Sequence, residues 1–75
     1  MQIGSFSRIT SDPQILGGRA CIRGLRIPVA TVLDLLAEGL AEAEILAEYP
    51  SLEPEDLREV LAYAAWLARE ELVPT

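Results

Sequence analysis

The spacing of apolar side chains along the chain changes at Pro28. Before that residue, apolar and charged side chains alternate over short stretches such as Ile22-Arg23, which is the two-residue period of half-buried strands. After it, apolar residues recur every three or four positions, the period of amphipathic helices. The pattern predicts a mainly α-helical domain with a small N-terminal β portion, in which short strands and turns occupy about residues 8–27.

Three helices are predicted, at residues 29–39, 41–49 and 54–72. Pro28 and Pro54 suit the first turns of the first and third helices, where a missing N–H costs no hydrogen bond, and Gly39 suits a left-handed C-terminal cap. The connections are short, and 75 residues are too few for two cores. We therefore predict one domain over residues 1–75, a trihelical bundle of the helix-turn-helix kind preceded by the strands.

The third predicted helix is apolar on two faces. At about 100° per residue, the predicted core line consists of the apolar residues within about 60° of Leu57, namely Leu57, Val60, Leu61, Ala64 and Ala68. Tyr63 and Trp66 fall on the back of the helix, where either the N-terminal strands or another chain must cover them. Because aromatic side chains commonly anchor protein interfaces, we predict that Tyr63 and Trp66 bind a partner.

The segment GGRACIRGLRIPV, which begins at Gly17, concentrates glycine and arginine in a chain otherwise rich in Ala, Leu and Glu. We interpret Gly17-Gly18 as the turn of a hairpin that joins residues 15–16 to residues 20–22, and Gly24 as part of a second turn. No GxxxxGKS or GxGxxG context surrounds these glycines, so a phosphate site is not predicted. The residues assigned to turns or helix ends are Gly17, Gly18, Gly24, Pro28, Gly39 and Pro54.

Charge is distributed unevenly along the sequence. The net charge is −6, but residues 1–28 carry +3, from four arginines and one aspartate, whereas residues 29–75 carry −9, from two arginines and eleven carboxylates. Arg19, Arg23 and Arg26 lie together in the basic part, and we predict that they bind a partner. The alternatives are that these arginines are solvated, or that they pair with the acidic helices of the same or a neighbouring chain.

The composition excludes most catalytic and metal-binding chemistry. Histidine is absent and Cys21 is the only cysteine, so the usual zinc sites and the Ser-His and Cys-His nucleophile pairs cannot form. We predict no catalytic residue, metal, cofactor or small-molecule substrate, and we interpret Cys21 as a buried apolar residue. The lone cysteine and the absence of a signal-peptide pattern or a long apolar run favour a cytoplasmic protein with no membrane contact.

The apolar content is high for so short a chain. Hydrophobic residues make up 51% of the sequence, which exceeds what a domain of this size buries alone. We therefore predict a homodimer or a permanent partner protein.

Several spaced elements of the chain occur together in a known family. They are GGRACIRGLRIPV, Glu38-Gly39, Glu44-Ile45-Leu46, Tyr49-Pro50-x-Leu52, Pro54-Glu55-Asp56-Leu57 and Ala62-Tyr63-Ala64, and they span roughly residues 9–65. This series resembles the domain-of-unknown-function family 433. The resemblance implies a bacterial or archaeal protein with an N-terminal β portion and a homeodomain-like helical bundle. It also implies an antitoxin of a toxin-antitoxin system, encoded beside a PIN-like nuclease toxin that holds a divalent cation with clustered carboxylates.

The chain departs from the family pattern at three positions. Ser or Thr is usual near position 41, where Ala41 lacks a side-chain acceptor, and Thr or Ser is frequent at position 53, where Glu53 is a weaker cap. Leu25 stands where Thr is common, so a hydroxyl is missing from the second turn. A missing N-cap typically costs about 0.5–2 kcal/mol, so the start of the second helix is predicted to be weakly held.

Two functions are compatible with these features. The first is a non-enzymatic interaction protein, an antitoxin that neutralises a PIN-like toxin by placing arginines against its carboxylates. The alternative is a DNA-binding transcriptional regulator that uses the basic N-terminal segment, with regulation of its own operon as one form of that role. Reading of DNA by the third helix is disfavoured, because its first turns carry Glu53, Glu55, Asp56 and Glu59 against Arg58 alone.

Overall fold

The structure is a computed structural model that describes the backbone of residues 1–71 and the side chains of residues 1–69. Its elements are β1 (Gln2–Ile3), β2 (Phe6–Thr10), a 3-10 turn (Leu16–Gly18), β3 (Cys21–Ile22), α1 (Val29–Ala37), α2 (Glu42–Glu48) and α3 (Pro54–Glu71). The domain is thus mainly α-helical with a small N-terminal sheet. The predicted last residue of the third helix, Leu72, lies outside the described residues.

The sheet is antiparallel, with the strands in the order β1-β2-β3. Ile9 pairs with Ile22 and Thr10 with Cys21, so β3 pairs with β2 and not with residues 15–16 as predicted. The reason is that Leu16 and the two glycines after it all have left-handed φ angles of 50°, 66° and 87°, which coil this segment into one turn. The sheet also begins earlier than predicted, because β1 precedes residue 8.

The core lies between the sheet and the three helices. Its buried members come from β2, β3, the three helices and the connection before α3, and they are Ile9, Ile22, Val29, Val32, Ile45, Leu52, Leu57 and Val60. Cys21 is 2% exposed and has no disulfide partner, so it is a small apolar residue beside this core. Burial of each aliphatic side chain contributes about 1.5–3 kcal/mol, which makes this set the main source of stability.

The face of α3 that meets the core differs from the predicted one. Leu57 and Val60 are buried as expected, but Leu61 is 51% exposed and Ala68 is also exposed. Tyr63, predicted on the back, is half-buried against the core. The core line is rotated by about 60° toward Tyr63, because β2 packs along that side of α3.

The helix ends follow local sequence signals. After α1, Gly39 has a φ of 94°, and its N–H and that of Leu40 donate to Leu36 and Leu35, which is the Schellman arrangement. At the start of α2, Ala41 offers no side-chain acceptor, but its N–H donates to Glu44 Oε1 at 2.7 Å, so half of a capping box is present. In the described part of the chain, no helix has the length and apolar character needed to cross a bilayer.

Candidate functional site

Asp56 is the fully buried charged residue at the start of α3, and its carboxylate joins three segments of the fold. Arg23 Nε donates to Oδ1 at 3.0 Å and Arg23 Nη2 donates to Oδ2 at 2.9 Å, a bidentate contact. Arg8 Nη1 donates to Oδ1 at 2.9 Å, and the Glu53 N–H donates to Oδ2 at 2.8 Å. Two guanidinium groups and one backbone amide therefore compensate the buried charge.

A tight turn places Arg23 for this contact. Arg23 and Gly24 have φ angles of 48° and 72°, and the Leu25 N–H donates to the Ile22 carbonyl at 2.8 Å, the features of a type I′ turn. The turn is therefore centred one residue before the predicted Gly24-Leu25. Arg23 Nη2 also donates to the Ser51 carbonyl at 2.7 Å, which ties the turn to the connection between α2 and α3.

Arg8 is the member of this cluster that the sequence did not indicate. It lies in β2, and its Nη1 donates to Glu53 Oε1 at 2.8 Å in addition to Asp56. The Arg8 backbone N–H donates to a carboxylate oxygen of Glu59. Arg8 is 48 residues from Asp56 along the chain, so no local spacing reveals the pair. The one local signal was Asp56 itself, three residues after the N-cap Glu53, where a carboxylate commonly accepts the cap N–H.

The pKa values in the cluster follow from these contacts. Burial acts to raise the pKa of Asp56, but hydrogen bonds from Arg23, the Glu53 backbone and Arg8 outweigh it and hold that pKa below its ordinary value. The hydrogen bonds that Arg8 donates to Glu53 and Asp56 raise the pKa of Arg8, and those that Arg23 donates to Asp56 raise the pKa of Arg23. All three groups stay charged at neutral pH.

The cluster therefore holds the fold together and offers little to a ligand. No buried side-chain nitrogen or oxygen of the described residues is left without a hydrogen bond. Arg23, predicted to bind a partner, instead pairs with an acidic helix of its own chain, which is one of the alternatives that the sequence left open. Its side chain is 32% exposed, so only its outer edge reaches solvent.

A groove on another side of the molecule brings predicted partner-binding residues together. It has a volume of about 220 Å³ and runs between the segment before β3, α1 and α3. Its lining is apolar except for one cation, and consists of Arg19, Ala20, Pro28, Val29, Ala30, Leu33, Tyr63 and Leu67. We call it the Arg19 groove. Arg19 and Leu67 are exposed, and Leu67 retains 40% of its accessible surface.

Three aromatic rings connect this groove to β2. The Phe6 ring lies 5.4 Å from Tyr63 and 5.7 Å from Trp66, and Tyr63 and Trp66 stack at 6.0 Å. Trp66 thus packs on the N-terminal strand, one of the two alternatives for its cover, yet it remains 38% exposed. Arg19, Tyr63 and Trp66 therefore lie on one continuous surface. Arg26 is exposed in the turn after β3 and does not line this groove.

A second groove, of about 420 Å³, lies between β2 and the first half of α3. Its lining is more polar and consists of Ser5, Phe6, Arg8, Glu55, Arg58, Glu59 and Ala62. We call it the Phe6 groove. The aromatic cluster separates it from the Arg19 groove, so α3 presents a different surface to each.

Comparison with known proteins identifies relatives of most of the chain. The family described as "Protein of unknown function (DUF433)" matches residues 9–64. The uncharacterized protein y4eO of Sinorhizobium fredii is 41% identical over 56 residues, which are 75% of this chain and 25% of that protein. The crystal structure of a DUF433 member protein from Anabaena variabilis superimposes with a TM-score of 0.76 at 36% identity, over 84% of this chain and 62% of that one. The chain thus spans about a quarter of the length of the y4eO protein and less than two thirds of the length of the Anabaena variabilis protein.

Proposed function

The chain belongs to the DUF433 family, and on that basis and on the geometry of the Arg19 groove we propose that it is a non-enzymatic protein-binding module. Its partner is a PIN-like nuclease toxin, and the chain acts as the antitoxin that neutralises it. In this proposal α2, the connection from Tyr49 to Glu53 and α3 form a homeodomain-like helix-turn-helix unit that serves as the scaffold.

The observation that carries the proposal is the composition of the Arg19 groove. Seven of its eight lining residues are uncharged, and the eighth is an arginine at its edge. Such a surface fits an apolar side chain next to a carboxylate, because a guanidinium group can bind both oxygens of a carboxylate in one plane. PIN-like nucleases, as the family resemblance implies, carry clustered carboxylates. An arginine placed against them competes with the divalent cation that the nuclease needs.

The Asp56 cluster changes which arginines perform this role. Arg23 is held by Asp56 and supports the turn that carries Arg26. Neither Arg19 nor Arg26 forms an ion pair with any described residue. Of the three arginines predicted to bind a partner, Arg19 and Arg26 are therefore the available ones, whereas a substitution of Arg23 acts mainly through the stability of the fold.

Growth rescue in cells that co-express the nuclease from the adjacent reading frame tests the proposal. Arg19→Glu and Leu67→Glu each place a carboxylate in the groove, and we expect both variants to lose rescue. Leu16→Glu is the matched control, because Leu16 is 38% exposed and lies outside the groove, so rescue should persist. Full rescue by Leu67→Glu at wild-type protein levels would exclude the groove as the toxin-binding surface.

The alternative function is a DNA-binding regulator. It is favoured by Arg19 and Arg26, which form no ion pair with the described residues and could contact phosphate groups. Each phosphate contact contributes a slope of about −0.9 to the dependence of log K on log salt concentration. An Arg19→Ala, Arg26→Ala variant should therefore weaken a shift of the upstream DNA and flatten its salt dependence. An unchanged shift, or no shift for the wild-type chain, would remove this alternative.

A further inference from the structure

The outer face of α3 carries a stripe of exposed residues at alternating three- and four-residue spacing. Its members are Glu55, Arg58, Ala62, Ala65, Trp66 and Arg69, and all of them are exposed. Trp66 keeps 38% of its surface in solvent in spite of its contact with Phe6. Arg58 and Arg69 form no ion pair with residues 1–69. The stripe thus has an acidic residue at one end and a basic residue at the other, with two alanines near its middle.

We propose that a second copy of this chain docks on this stripe, with the two α3 helices antiparallel and a two-fold axis beside Ala62. In that arrangement, residues equally far before and after Ala62 face each other. Glu55, seven residues before it, meets Arg69 of the second copy, seven residues after it. Arg58, four residues before, meets Trp66 of the second copy, four residues after. The symmetry repeats both contacts, so each copy supplies every group that the other needs.

The Phe6 groove gives the second copy's Trp66 a place to insert. Arg58 and Ala62 line this groove of about 420 Å³, which is large enough for an indole ring. The register that pairs Glu55 with Arg69 therefore also places Trp66 over the groove, against the guanidinium group of Arg58. At the axis, Ala62 meets Ala62, and two methyl groups allow the helices to approach to about 8–10 Å. A partly exposed indole and an open groove therefore occur on the same face of α3, as a two-fold interface requires.

Charge favours a second copy on this stripe over other faces of the molecule. The chain carries a net charge of −6, so most approaches of two copies bring carboxylates together. The antiparallel contact instead places Glu55 of each copy opposite Arg69 of the other, and it also aligns the two helix dipoles in opposite directions. Leu67 and the Arg19 groove stay uncovered, so this dimer does not depend on the proposed toxin binding.

Sedimentation velocity of the full 75-residue chain over about 1 to 500 µM tests the proposal. The wild-type chain should shift from monomer to dimer with concentration, and the emission of its only tryptophan should shift to shorter wavelength along with it. Glu55→Arg and Arg69→Glu should each raise the dimer Kd about tenfold or more, because one substitution changes two symmetry-related contacts. The double variant restores opposite charges and should return the Kd to within about threefold of wild type.

Glu42→Arg and Arg26→Glu are the matched controls, because they make the same charge changes at exposed positions outside the stripe. Circular dichroism melts confirm that each variant is folded. The proposal is overturned by a wild-type chain that stays monomeric at the highest concentration, by single variants that dimerise like their controls, or by a double variant as weak as the single ones. None of these results affects the growth rescue that tests toxin binding.

Discussion

Asp56→Asn tests the role of the buried carboxylate, because it keeps the shape of the side chain and removes its charge. The variant removes the negative charge that Arg8 and Arg23 share, and it replaces one of the two acceptor oxygens with an amide NH₂ that faces a donor. Breaking a buried ion pair typically costs about 3–5 kcal/mol. Arg8 and Arg23 are 30% and 32% exposed and can regain water, so we expect a smaller loss of about 2–4 kcal/mol.

This loss is large for a domain of 75 residues, whose free energy of unfolding is expected to be about 4–11 kcal/mol. The Tm should fall by about 10–30 °C in thermal melts, and the urea midpoint should fall with an unchanged m-value. Asp34→Asn is the matched control, since Asp34 is exposed on α1 and its side chain forms no ion pair with described residues. A loss below about 0.5 kcal/mol for Asp56→Asn would refute the structural role of the cluster.

The stability difference between the wild-type chain and Asp56→Asn should also depend on pH. The pKa of Asp56 is held below its ordinary value of 3.8, so its extra stability is present above that pH and is lost as the pH falls through the folded-state pKa. The difference in unfolding free energy between the wild-type chain and Asp56→Asn should therefore be constant near neutral pH and shrink below about pH 4. A difference that stays constant down to pH 2 would show that the carboxylate is not preferentially ionised in the folded state.

Four further substitutions test other parts of the fold by urea denaturation. Ala41→Ser supplies the missing N-cap acceptor at a residue whose backbone is already extended (φ −73°, ψ 156°), and it should stabilise the chain by about 0.5–1 kcal/mol. No gain in stability would mean that the hydrogen bond to Glu44 already caps this end of α2 sufficiently. Leu57→Ala should cost about 2–5 kcal/mol and Leu61→Ala less than about 1 kcal/mol, because Leu57 is 2% exposed and Leu61 is 51% exposed; equal losses would contradict the orientation of α3. Arg8→Ala should cost about 1–2 kcal/mol, less than Asp56→Asn, because Arg23 keeps its bidentate contact with Asp56. A larger cost would mean that Arg8, and not Arg23, is the more important partner of Asp56.

The helices and the class of the fold could be predicted because they depend on local patterns. The change of period at Pro28, the left-handed Gly39 and the first-turn Pro54 mark helix ends within two residues of those observed. The same local reasoning placed a hairpin at Gly17-Gly18, where three successive left-handed residues form a single turn instead. Glycine pairs permit either geometry, and the pairing of β3 with β2 decides between them.

The candidate site could be predicted only in part, because its geometry depends on contacts between distant segments. Arg8 and Arg23 reach Asp56 across 48 and 33 residues, and no spacing in the sequence indicates which arginine pairs internally. Periodicity identified α3 as apolar on two faces but misplaced its core line, since the position of β2 determines which face is covered. Arg19 and Tyr63 likewise line the same groove only because the fold brings distant segments together, so the sequence does not indicate it.

Toxin binding by the Arg19 groove is tested most directly by titration calorimetry of the purified nuclease from the adjacent reading frame with the wild-type chain and with Leu67→Glu. We predict that the wild-type chain binds and inhibits cleavage, and that Leu67→Glu binds at least about a hundredfold more weakly, since a charge would be buried in an apolar contact. Leu16→Glu should bind as the wild type does. Equal affinity of Leu67→Glu and wild type, or no binding of the nuclease at all, would contradict the claim that the Arg19 groove is where this chain meets a toxin.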